Sequence, residues 1–196
     1  MNDERAELST LLEEQMEIRQ KVTDTCLQII EACGESVSHI HRNERALSDS
    51  KLLEARKLIG LVRQMVKRHP SSARLAIVRD AMCEYVEASC LRSVVTVGSV
   101  PSYKSFNVEP DEYLLGLADL VGELRRLCFD LIRKDRLGDA ESVFHKMEEV
   151  YELVISFEYP KQYVKGLRHK VDVDRRLLDD TRLILTQAYI AGRKSV

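Results

Sequence analysis

The sequence is poor in the residues that bend a chain. Its 196 positions hold only 8 glycines and 4 prolines, too little punctuation for the many turns of a β fold, so long helices are expected. No apolar run approaches the roughly 18 residues of a membrane span, and the N-terminus MNDERAELST has no signal-peptide core. A cytoplasmic protein that does not enter membranes is therefore expected. Five cysteines (Cys26, Cys33, Cys83, Cys90 and Cys128) are odd in number and form no C-x-x-C pair. They read as reduced core thiols rather than a disulfide framework or a zinc site. The five histidines, at 39, 41, 69, 145 and 169, contain no H-E-x-x-H and lend no support to a mixed His–Cys metal site. The absence of a Gly-rich phosphate loop argues against an NTP-driven machine. No Ser–His–Asp or Cys–His arrangement offers a side-chain nucleophile.

What remains has the composition of an ordinary folded protein, with a net charge of −2 and 44% hydrophobic residues. The span 1–196 is enough for one sizeable domain with a real core. Charge is segregated along it. Residues 1–41 carry nine acids against three bases, and 42–79 carry ten bases against three acids. Residues 108–160 swing back to thirteen acids against six bases, and 161–196 carry nine bases against four acids. Such blocks can set basic surfaces beside an acidic pocket, which suits a polyanion partner, although charged helix faces are more often simply solvated.

The apolar spacing is helical nearly throughout. Residues 5–46 read as one long helix, with Leu8, Leu11, Met16, Val22, Cys26, Ile29, Cys33, Val37 and Ile40 on its stripe and Gly34 as a possible kink point. A helix of that length outreaches a small bundle, so part of it is expected to pack on another subunit. Asp49 or Ser50 is a plausible cap for a second helix ending before Pro70. Its outer side, with Lys51, Arg56, Lys57, Arg63, Lys67 and Arg68, is a one-signed basic face suited to phosphates. That face lacks aromatics to stack bases, which argues against reading a base sequence. A third helix covers about 71–95, a loop 96–110 (where Val94–Val100 could pass for a short strand), a fourth 108–134 and a fifth 137–160 stopped by Pro160. The final helix, 161–192, places Val164, Leu167, Val171, Leu178, Leu185 and Ala188 on a heptad-like seam.

Two pairs of acids stand out. On the fourth helix Asp119 and Glu123 are four apart, so both carboxylates leave one side, next to Gly116, Gly122 and Arg126. Like charges at that spacing repel, and each glycine costs about 1 kcal/mol of helix stability relative to alanine. A face that accepts both penalties reads as a site. On the third helix Glu84 and Glu87 are three apart amid Met82, Cys83, Tyr85, Val86, Ala88 and Cys90, while Asp80, one turn earlier, reads as peripheral. Acids among apolar neighbours stay ionised only if paired or metal-bound. They either salt-bridge to Arg79, Arg92, Arg125 or Arg126, or they hold a cation. A hard cation such as Mg²⁺ or Mn²⁺, which prefers oxygen ligands, would suit such carboxylates.

The run EYLLGLADLVGELRRL at 112–127, together with EYVEAS at 84–89, resembles the translin family, and within it the branch of translin-associated factor X. The resemblance extends along most of the chain. It implies an all-α fold of about six to seven helices, with long first and last helices, assembled into a hollow oligomer, often an octamer. It also implies a metal-dependent endoribonuclease, a hydrolase acting on single-stranded or unpaired RNA with little base preference. In that branch the acids of the two motifs bind the metal, and they fall here on Glu84, Glu87, Asp119 and Glu123. Candidate nucleic-acid contacts are Arg63, Lys67, Arg68, His69 and Arg74, which do not follow the family's pattern residue by residue. The chain lacks the long tail and the loop insertion of the eukaryotic factor. It thus resembles the archaeal members, for which a homo-oligomer without a separate translin partner is expected. Two rivals stand beside this reading. One is a translin-like scaffold that binds single-stranded RNA or DNA without catalysis. The other is a helical interaction protein whose acids merely pair with arginines.

Overall fold

The computed structural model describes residues 2–157 and 164–193. They form six α-helices: α1 (Asn2–His41), α2 (Arg45–Arg68), α3 (Ala76–Val97), α4 (Pro110–Ile132), α5 (Leu137–Ile155) and α6 (Leu167–Arg193). Short 3₁₀ turns sit at Pro70–Arg74 and Tyr103–Ser105. No strand occurs among the described residues, so Val94–Val100 is not one: α3 runs on to Val97 and is closed by Gly98 in the left-handed conformation at φ 76°. No helix among them is long and apolar enough to cross a membrane.

Several helix ends differ from the sequence reading. The first helix stops at His41 rather than 46, because Asn43 adopts φ 62°. Glu44 N–H then reaches His39 O at 2.8 Å and Asn43 N–H reaches Ile40 O at 2.9 Å. These are the paired bonds of a Schellman stop, with asparagine in the place glycine usually takes. Gly34 leaves the helix unbroken. The second helix begins at Arg45, ahead of Asp49 and Ser50, and Asp49 instead accepts Arg92 through two bonds of 2.7 and 2.8 Å. The fifth helix ends at Ile155, and Pro160 lies outside the described residues, as do positions 161–163 of the expected last helix. Gly166, at φ 96°, precedes the observed start of α6.

The helices pack as two halves. α1 lies against α2 and α3, α4 lies against α5 and α6, and the α3–α4 contact joins them. α4 is the central member. Glu109 and Glu112 close a reciprocal capping box at its start, and Pro110 takes the first turn, where no amide donor is missed. Leu117, Leu120, Val121, Leu124 and Cys128 then enter the core with no exposed surface. Each leucine so buried contributes about 1.5–3 kcal/mol. The loop between α3 and α4 is pinned by aromatics: Phe106 packs edge-on to Tyr85 at 6.1 Å, and Tyr113 donates to Pro101 O at 2.9 Å. All five cysteines are buried and free. Residues 4–17 of α1 are exposed, including Leu8, Leu11, Leu12 and Met16.

Candidate functional site

Gly116 sets how closely α3 and α4 approach. A Cβ there would stand 2.6 Å from Cys83 O and 2.8 Å from Val86 Cβ, so only glycine fits without separating the helices. Gly122, by contrast, faces open space. Across this close contact, Glu84 and Glu87 lie on α3 and Asp119 and Glu123 on α4. Glu87 is only 9% exposed. Burial, then the charges of Glu84, Asp119 and Glu123, push its carboxyl up to about 8. Burial and then Asp119 also raise Glu84. Glu84 and Glu87 thus both feel the charges of Asp119 and Glu123. Asp80 is exposed and paired with Arg79 at 4.0 Å, and its charge adds a smaller push on Glu84.

The acids differ in their partners. Among the described residues neither Glu84 nor Glu87 takes part in a hydrogen bond or ion pair. Asp119 accepts from the Lys170 ammonium of α6. Glu123 meets His41 Nε2 of α1 at 2.6 Å, with Arg126 at 3.7 Å. That bond to His41, outweighing burial, holds the Glu123 carboxyl below the usual carboxylate range. The His41 side chain is 4% exposed, and its Nδ1 stands 3.5 Å from Asp130. Of the arginines weighed from the sequence, only Arg126 reaches a site acid. Arg79 goes to Asp80, Arg92 to Asp49, and Arg125 covers the Phe129 ring at 4.6 Å.

The sequence reading names neither of the partners Lys170 and His41, nor a fifth acid. Asp174 of α6 is buried, and its Oδ2 has no hydrogen-bond partner. Burial, then the charge of Asp119, push its carboxyl up to about 7, with Lys170 opposing. Asp119, Gly122, His169, Lys170, Val173 and Asp174 border a cavity of about 340 Å³ between α4 and α6. A signal for Asp174 did exist in the sequence. It stands between Val171 and Leu178 on the apolar seam of the last helix, where a charge is out of place. His41, a helix-end residue distant from Glu123 in sequence, carried none.

The donor set suits a hard cation, since it is all carboxylate and two of its members lack partners. Among the described residues, however, no three acidic, histidine or cysteine side chains are gathered closely enough to ligate one ion. Asp119 and Glu123 are turned to Lys170 and His41 instead.

The basic candidates divide. Lys67, Arg68 and His69 at the end of α2, and Arg74 in the 3₁₀ turn that follows, are exposed. Arg63 is engaged, donating to Asn107 O at 2.6 Å and Phe106 O at 3.3 Å and so tying α2 to the loop before α4. Elsewhere on that face, Lys51 pairs with Glu35 and Glu54, and Arg56 donates to the Tyr85 hydroxyl.

Comparison with known proteins places these features in a wider setting. Residues 63–178 match the model of the Translin family. An uncharacterized protein of Methanocaldococcus jannaschii is 29% identical over 184 residues, spanning 91% of this chain and 80% of its own. The crystal structure of AfC3PO superposes with a TM-score of 0.88 at 28% identity, covering 96% of this chain and 98% of that one. AfC3PO in complex with duplex RNA gives 0.85 at 27% identity, covering 96% and 97%. Apo-NeC3PO, 20% identical over 92% of this chain and 96% of its own, shares the fold with a TM-score of 0.80.

Proposed function

The chain belongs to the translin family, and from that premise we propose that it is a metal-dependent endoribonuclease of the branch resembling translin-associated factor X. It cleaves single-stranded or unpaired RNA with little base preference, in the cytoplasm, inside a hollow homo-oligomer such as an octamer. The observation that supports this reading is that Glu84 and Glu87, both without partners, feel the charges of Asp119 and Glu123 across the α3–α4 contact, with Glu87 raised to about 8. Carboxylates that raise one another's proton affinity in a buried setting are destabilised when ionised, which a bound cation would relieve.

Glu84, Glu87, Asp119 and Glu123 would hold the Mg²⁺ or Mn²⁺, whose chemistry when bound is to acidify a water and offset charge on a phosphodiester. Lys170 and His41 hold Asp119 and Glu123 in place until then. Lys67, Arg68, His69 and Arg74 contact backbone phosphates, which carry charge but no sequence information. RNA as the ligand is supported by AfC3PO, which was solved with duplex RNA; single-stranded DNA is a second ligand class. The exposed leucines of α1 support a second copy as cover for that face.

A translin-like scaffold that binds RNA or DNA without catalysis is the second reading. It is favoured by the engagement of Asp119 by the Lys170 ammonium and of Glu123 by the His41 ring. Incubating the sized oligomer with labelled single-stranded and duplex RNA, in Mg²⁺, Mn²⁺ or EDTA, separates the two. Metal-dependent cleavage lost in Glu84→Ala and in Asp119→Ala, with RNA binding kept, is the expected result. Activity retained in the purified double variant refutes the assignment, and binding without cleavage by the wild type favours the scaffold.

A further inference from the structure

Lys170 and Asp174 stand four residues apart on α6, so their side chains leave the same face of the helix. Both border the cavity that contains Asp119. Lys170 spends its ammonium on Asp119 across the α4–α6 interface. Asp174, 3% exposed, has a buried oxygen that accepts from nothing. A buried carboxylate oxygen is normally satisfied. Here an unsatisfied one lies a single helical turn from a cation that is bonded elsewhere.

We infer that Asp174 is a positioning residue: it receives the Lys170 ammonium when Asp119 exchanges that ammonium for a divalent cation. The inference rests on the reading of Glu84, Glu87, Asp119 and Glu123 as cation ligands. A dication that takes Asp119 Oδ1, the oxygen to which Lys170 donates, displaces that ammonium, and the two repel when held close. Displaced in this way, a half-buried ammonium with no anion to meet would oppose cation entry. Asp174 removes that opposition. The lysine's four-carbon stem allows the transfer by a change of rotamer, with α6 in place. Gly122, which has no side chain on the α4 wall of the cavity and open space beyond it, leaves room for the movement. Asp174 thus governs cation affinity through Lys170 and does not ligate the ion itself.

Titrating the full-length protein with Mn²⁺, and reading the free ion by electron paramagnetic resonance, tests this in four forms: wild type, Asp174→Asn, Lys170→Gln and the double variant. Asp174→Asn should weaken Mn²⁺ binding about 10- to 100-fold, the size of effect common for residues that act on a metal site from outside its ligands. Lys170→Gln should bind at least as tightly as the wild type, since the competing ammonium is gone. In the Lys170→Gln background, Asp174→Asn should change affinity by less than about threefold, because nothing is left to receive. A penalty of equal size in both backgrounds overturns the inference, as does no penalty in either. Failure of the wild type to bind Mn²⁺ at all is a separate result that removes the four-acid reading and this one with it. Thermal unfolding of the metal-free variants confirms that each form is folded before titration.

Discussion

Replacing Glu87 with glutamine is predicted to stabilise the metal-free protein in alkaline solution, although it alters a residue of the proposed active site. Glu87 is buried on α3, where burial and the charges of Glu84, Asp119 and Glu123 lift its carboxyl from the ordinary 4.5 to about 8. Below about 4.5 the folded and unfolded chains are both protonated at this position, and no penalty exists. Between about 4.5 and about 8 the folded chain keeps a proton that the unfolded chain has released, so stability falls as pH rises. Above about 8 both are ionised, and the loss is complete. At about 1.4 kcal/mol per pH unit, that window amounts to roughly 5 kcal/mol. The net stability of a domain is only about 5–15 kcal/mol, so the effect is large enough to measure. Glutamine keeps the shape and cannot ionise. Urea unfolding at fixed protein concentration in EDTA, from pH 5 to pH 9, is the assay. The wild type should lose several kcal/mol more than Glu87→Gln across that range, and the variant should be the more stable form at pH 9. Saturating Mn²⁺ should restore the wild type and leave the variant nearly unchanged. Parallel pH profiles for the two proteins would refute the reasoning.

Three other outcomes are expected. Gly116→Ala places a methyl 2.6 Å from a backbone oxygen of α3 and should cost about 1–3 kcal/mol in urea unfolding, whereas Gly122→Ala meets nothing and should stabilise by up to about 1 kcal/mol. His41→Ala removes the 2.6 Å bond to Glu123; carbon-detected NMR should then find the Glu123 carboxyl titrating higher, and unfolding at pH 7 should show a loss of about 1–3 kcal/mol. Burial pushes the thiols of Cys26 and Cys128 up to about 11 and those of Cys83 and Cys90 up to about 12, so a thiol reagent should react slowly with the native protein and with all five cysteines once it is unfolded.

The helical character was legible because apolar residues recur every three or four positions across nearly the whole chain. The loop before α4 was marked by Gly98 and Pro101, and the start of α4 by Pro110. Helix ends were read less well. At Asn43 the stop depends on one asparagine entering the left-handed region, which residue type permits but does not require. At Arg45 the helix starts with no side-chain cap bond, so the usual signal was absent. Gly116 and Gly122 looked alike in sequence. One proved to be a contact point between backbones and the other faces open space.

Sequence alone determined which acids share a helix face, since Glu84 with Glu87 and Asp119 with Glu123 follow from the rise and twist of a single helix. It also determined that α4 would be buried on one side, because its apolar stripe leaves no other stable option in water. Only the tertiary structure decided that Lys170 faces Asp119, that His41 faces Glu123 and that Asp174 is left with an unsatisfied oxygen. Periodicity orients a side chain about its own helix axis. It carries no information on which distant helix will lie opposite, or on how much water their contact will exclude, and those two quantities set the partners and the proton affinities at this site.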